Sequence, residues 1–246
     1  MKTSERHRLK TNEVAVQVAH ARELVRERQR SIVAALIIVA VVVVVVAGYF
    51  GVRKRAQARA GAMLAEAMAV GNAPVVPPPP PGQSAPPPTP GSYPSEAARD
   101  QAAADKLLAT AQAYPNTTAG LAARFQAASK LAELSKLVEA EQQFLELTRL
   151  DPSGLYGRMA LLGLAEVQVR AGNYEQAITS YNTVVSKADP DLPLDGVLMQ
   201  LARAYTMAGK GDEARKTLTR IVDEFAQSSY AAEARRQLET LGGKPS

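Results

Sequence analysis

Two stretches decide how this chain folds: AGNYEQAITSY at residues 171–181 and AGKGDEARKTL at residues 208–218. Each opens on a small-residue turn, passes through charged and polar residues, and then sets an alanine and a tyrosine or leucine four residues apart on one helical face. Aligning outward from them exposes three copies of one register. Ala128, Leu131, Ala140, Phe144 and Pro152 recur as Ala165, Gln168, Ala177, Tyr181 and, one residue late, Pro190. They recur again as Ala202, Tyr205, Ala214 and Leu218.

The spacing has a mechanical reading. In each copy the second alanine follows the first by twelve residues, and the ring or leucine follows by four more. A small residue on the first helix of a hairpin lets the second helix approach, and the second helix meets it with its own alanine. The bulky residue one turn later fills the seam to the next hairpin, while proline ends the second helix. This predicts hairpins over 121–154, 158–191 and 195–228, a preceding helix over 95–114 and a capping helix over 229–241. Ala103, Leu107 and Pro115 keep the spacing of a second helix whose first helix is missing.

The two quoted stretches resemble the inter-helix turn and second helix of the tetratricopeptide repeat. That resemblance implies a short helical-hairpin solenoid whose first helices line a concave, protein-binding groove. Carried over position by position, the groove residues are Phe125, Gln126 and Ser129, then Leu162, Glu166 and Arg170, then Met199, Gln200, Arg203 and Met207. The chain departs from the family at several positions. Arg124, Leu161 and Leu198 stand where an aromatic is usual, and Ser135-Lys136-Leu137 replaces a glycine-containing turn. The lysine and asparagine set with which some relatives clamp a carboxy-terminal carboxylate is missing.

Upstream, composition changes twice. Residues 71–94 hold 11 of the 16 prolines and no charge, which suits polyproline II rather than helix or sheet. Read as an extended spacer this linker would reach roughly 70 Å; a PxxP docking site is the alternative reading. Ile32 to Phe50 is 19 residues without a charge, and as a helix it matches the roughly 30 Å of a bilayer core. Residues 32–52 are therefore expected to form a single transmembrane helix that contacts the lipid bilayer, followed by a juxtamembrane helix over 53–70. The basic tail, residues 1–31, contains Val14, Val18, Ala21 and Val25 at helical spacing and reads as an amphipathic helix.

Charge separates these regions and narrows the function. Residues 1–31 carry eight Lys/Arg against four acids, residues 53–70 four against one, and residues 95–246 seventeen against nineteen. The basicity belongs to the flanks of the apolar run, so nucleic acid is not the expected partner. The amino-terminal excess favours a cytoplasmic N-terminus with the repeat domain outside. The local count is even, four Lys/Arg in the twenty residues before the run and four in the fifteen after it, which keeps a cytoplasm-facing domain in view.

No catalytic or metal-binding residues emerge. Cysteine is absent, and His7 and His20 both precede the apolar run. Glu139 with Glu141, and Asp189 with Asp191, read as solvated surface charge. No cofactor is expected, and the sequence predicts a scaffold rather than an enzyme. Monomer and homo-oligomer both fit the sequence.

The order of basic tail, one membrane helix and carboxy-terminal repeat domain also resembles the bacterial ancillary subunit of the Sec translocon. That likeness implies an inner-membrane protein whose repeat domain meets protein partners in the periplasm.

Overall fold

The computed structural model describes residues 29–79, 90–187 and 192–242. Most of the basic amphipathic tail, the middle of the proline-rich segment, and Asp189 to Asp191 lie outside the described residues. Among the described residues the secondary structure is helical, apart from one isolated bridge between Val75 and Tyr93. In chain order the helices are α1 (Gln29–Gly71), α2 (Glu96–Ala113), α3 (Thr118–Glu133), α4 (Leu137–Leu150), α5 (Leu155–Arg170), α6 (Tyr174–Ser186), α7 (Leu194–Met207), α8 (Gly211–Glu224) and α9 (Ala231–Gly242).

The chain divides into two compact units between Arg55 and Ala56, inside α1. In the first unit α1 is long and apolar enough to cross a membrane. Ile37, Ile38, Val39 and Val41 to Val46 are exposed, Val44 by 70%, an arrangement that water disfavours and hydrocarbon satisfies.

The second unit, from Ala56 onward, is an array of antiparallel hairpins: α3/α4, α5/α6 and α7/α8, closed by α9. The alanines of the sequence register, Ala128, Ala140, Ala165, Ala177, Ala202 and Ala214, are all fully buried. The bulky residues one turn later, Phe144, Tyr181 and Leu218, are buried as well, which places them in the seams as their spacing predicts.

The three turns inside the hairpins are built alike. Ser135, Gly172 and Gly209 sit at φ of 60°, 80° and 73°, in the left-handed region. The following amide closes the turn each time at 2.8 Å: Lys136 to Leu131, Asn173 to Gln168 and Lys210 to Tyr205. This is the helix-ending motif in which a left-handed residue satisfies the last carbonyls of the preceding helix. The first hairpin therefore makes the family's glycine turn with a serine.

Two expectations are corrected. The folded unit does not begin at Ser95. Ala60 and Ala67 of α1 are fully buried, and Ala67 and Leu64 pack with Leu107, Ala111, Ala123 and Ala127 of α2 and α3. Glu66 pairs with Lys106 at 2.5 Å, and the Thr118 amide donates to Gln57 Oε1 at 3.1 Å. The end of α1 is thus the first helix that α2 was missing. Nor is the proline-rich segment an extended spacer. The Val76 amide donates to Tyr93 O at 2.9 Å and the Tyr93 amide to Pro74 O at 3.0 Å, so the segment leaves and returns at one point. It is an insertion in the turn between the two helices of an additional amino-terminal hairpin.

Candidate functional site

The first helices of the hairpins, α3, α5 and α7, carry the residues expected to face a partner. Between α3 and α5 lies an open cavity of about 350 Å³. Its lining includes Phe125, Ser129, Leu162, Glu166 and Arg170, five of the ten expected groove residues. The floor comes from the second helix of the first hairpin. The Phe144 ring meets the Phe125 ring edge to face with centroids 5.8 Å apart, and Phe125 lies 6.4 Å from Tyr156. Gly163 makes room for Phe144, since a Cβ there would come within 2.5 Å of Phe144 Cζ. Neither Phe144 nor Gly163 was an expected groove residue. The available signal was a glycine in mid-helix, which costs helix stability unless a neighbour needs the space.

The remaining expected residues separate. Gln126 lies in a second cavity, about 250 Å³, lined also by Met68 and Gly71 of α1 and Ala103 and Leu107 of α2. Ser129 borders both cavities, so the groove continues onto α1. Arg203 and Met207 line a third, about 270 Å³, with Gln237 and Leu241 of α9. Gln200 is exposed on α7. Met199 is a correction: it is fully buried in a cluster with Leu198, Leu218, Ile221 and Ala234. It occupies the position of Phe125 and Leu162 in the earlier repeats, but α9 ends the array here and closes over it.

Polar groups between helices fix the groove walls. Gln168, buried in α5, accepts from Ser180 Oγ of α6 at 2.8 Å and donates to Glu141 Oε1 of α4 at 2.9 Å, joining three helices. Arg124, at the position where the family usually has an aromatic, is buried and donates to Gln143 Oε1 at 2.5 Å. Burial holds its guanidinium below the ordinary arginine range, against the opposing pull of Glu146. Burial likewise pushes the Tyr181 phenol up to about 12, helped by the charge of Glu166 and opposed by Arg203. The Ser228 hydroxyl donates to Asp195 at 2.5 Å and keeps that carboxyl below its usual range.

Among the described residues no three His, Cys, Asp or Glu side chains group as a metal ion would require. What the cavities offer is apolar and aromatic surface bordered by a few charges, which suits the recognition of a partner's side chains.

Comparison with known proteins agrees with this architecture. A family profile described as a tetratricopeptide repeat-like domain matches residues 112–238. No curated protein sequence matches the chain. Among solved structures, nearly identical TPR-like repeats of a putative kinesin light chain from Podosopora anserina align with a TM-score of 0.50 and 17% identity. The match covers 58% of this chain and 77% of that one. MamA, residue 41 to its end, from Desulfovibrio magneticus RS-1 aligns with a TM-score of 0.48 and 19% identity, over 58% of this chain and 74% of that one. Likeness at such identities concerns the fold alone.

Proposed function

The chain belongs to the tetratricopeptide repeat-like domain family, and from that membership we propose that it is a membrane-anchored scaffold binding protein partners in its concave groove. The observation that carries this reading is the aromatic-floored cavity between α3 and α5, open to solvent and lined by five expected groove residues. Repeat folds of this kind are typically non-catalytic, and a groove of mixed apolar and charged residues needs no reacting group to act.

Residues 32–52 are the membrane anchor in this reading. The amino-terminal basic excess puts the tail in the cytoplasm and the repeat unit on the periplasmic face of a bacterial inner membrane. The resemblance in domain order favours a role ancillary to the Sec translocon or to envelope protein assembly. Confinement to a surface raises effective concentration, so modest groove affinity suffices. The even charge count on the two sides of the apolar run favours a second reading, a cytoplasm-facing docking platform for soluble proteins.

One experiment separates these readings and a second tests the groove they share. Protease added to intact spheroplasts should digest a carboxy-terminal tag; protection until lysis would replace the periplasmic reading with the cytoplasmic one. A photo-crosslinker at Leu162 should give a discrete adduct that one at Val138, 70% exposed on α4, does not. Equal labelling at both positions would reject the groove as the binding surface.

A further inference from the structure

Resting on the groove reading, we propose that the occupant of the cavity between α3 and α5 is an amphipathic partner helix carrying one positive and one negative side chain a turn apart, beside its apolar anchor.

The occupant's secondary structure follows from the floor. Phe125, Phe144, Met159 and Leu162 present rings and aliphatic groups, and the backbone of α3 and α5 is committed to its own helical hydrogen bonds. An extended segment laid on this floor would lose water from its amides and carbonyls and find few replacements, with only side chains such as Glu166 and Arg170 at the wall to meet them. A helix arrives with its backbone groups already satisfied and offers side chains at positions i, i+3 and i+4 to fill the cavity.

The charge pattern follows from the walls. On α3 the charges beside the cavity are engaged: Lys130 Nζ lies 2.8 Å from Glu133 and 3.6 Å from Asp100 of α2. On α5 they are open. Glu166 and Arg170 are both exposed and stand four residues apart. Neither makes an ion pair or hydrogen bond among the described residues. A glutamate four residues ahead of a cation is the favourable order for pairing along a helix, so two open charges here leave both signs free for a partner. A partner helix with a cation and an anion at i and i+4 meets both in the one direction that sets its cation against Glu166, and a free helix can take that direction. A helix with two like charges there meets one and is repelled by the other.

The probe is a set of three 16-residue alanine-based helices with the same central leucines and with Lys/Glu, Lys/Lys or Glu/Glu at one i, i+4 pair. Their binding is measured by fluorescence anisotropy against the full chain in detergent micelles. The Lys/Glu helix should bind most tightly, by roughly twofold to thirtyfold, as two exposed ion pairs imply. Glu166→Arg should move the preference to Glu/Glu, and Arg170→Glu to Lys/Lys, with circular dichroism unchanged because both side chains are exposed. Equal binding of the three helices, or a ranking that neither substitution moves, overturns the charge assignment. The groove reading survives that result if Leu162→Asp still abolishes binding. Absence of binding up to millimolar peptide overturns the inference, and the crosslinking comparison at Leu162 and Val138 then decides the groove by itself.

Discussion

The ring of Phe144 rests on Gly163, so close that a single added methyl would overlap its Cζ. Gly163→Ala therefore sets two effects against each other. Alanine gains about 1 kcal/mol of helix propensity, but overpacking a buried contact of this kind costs roughly 1–3 kcal/mol. The expected outcome is net destabilisation in denaturant titration, with the floor of the groove displaced. Gly61, with nothing near its missing side chain, is the control: Gly61→Ala should be neutral or stabilising.

Ser135 holds a left-handed conformation that Gly172 and Gly209 hold in the equivalent turns. A non-glycine residue pays about 1–2 kcal/mol there, partly offset because glycine loses more freedom on folding. Ser135→Gly should raise stability by up to about 1 kcal/mol. Gly172→Ala and Gly209→Ala should lower it by a similar amount, all read from shifts in the unfolding midpoint at constant slope.

The bond from Ser180 to Gln168 is buried, so its partners are worth more together than singly. Ser180→Ala removes a donor from the buried amide oxygen and should cost roughly 1–3 kcal/mol. Replacing both sides by apolar groups, Gln168→Leu with Ser180→Ala, should recover most of that loss. A double-mutant cycle with no coupling would mean that Glu141 alone positions Gln168.

Tyr181 makes stability fall in alkali. Its phenol ionises near 10 when exposed and near 12 in the fold. The folded value is the higher, so the contribution is complete below pH 10 and lost as pH rises through 12. The loss is roughly 2–3 kcal/mol. Subtracting the pH profile of Tyr181→Phe, which cannot ionise, from that of the unaltered chain isolates it.

The boundary at Ala56 is testable by truncation. A fragment beginning at residue 95 uncovers Leu107 and the alanines that Leu64 and Ala67 cover. It should unfold with about 3 kcal/mol less stability than a fragment of residues 56–246, or more, and bind a dye for exposed apolar surface.

The alanine register, Phe144, Tyr181 and Leu218 were legible in the sequence because hairpin packing depends on residue size at fixed spacing. The continuous apolar run of α1 was legible for the same kind of reason, since length and composition suffice. The role of residues 56–71 was not legible. Alanine-rich helices give a faint amphipathic signal, and 24 residues of proline-rich chain separate them from their partner helix. Met199 misled because its register matches Phe125 and Leu162, while what covers it is α9, the one neighbour the repeat pattern does not encode. Of the candidate site, Leu162, Glu166 and Arg170 were expected only through the resemblance to the repeat family; the contact of Phe144 with Gly163 depends on the distance between two hairpins, which no local pattern specifies.

The bridge between Val75 and Tyr93 changes what the proline tract means for the chain's tolerance of variation. Once the ends of a loop are fastened, doubling its length costs only about 0.6 kcal/mol in closure entropy. The loop can therefore change in length while its fastened ends keep the register of α1 and α2, much as a tag can be lengthened without retailoring the garment. Within this hairpin, sequence drift is expensive at the fastened ends, Pro74 to Val76 and Tyr93.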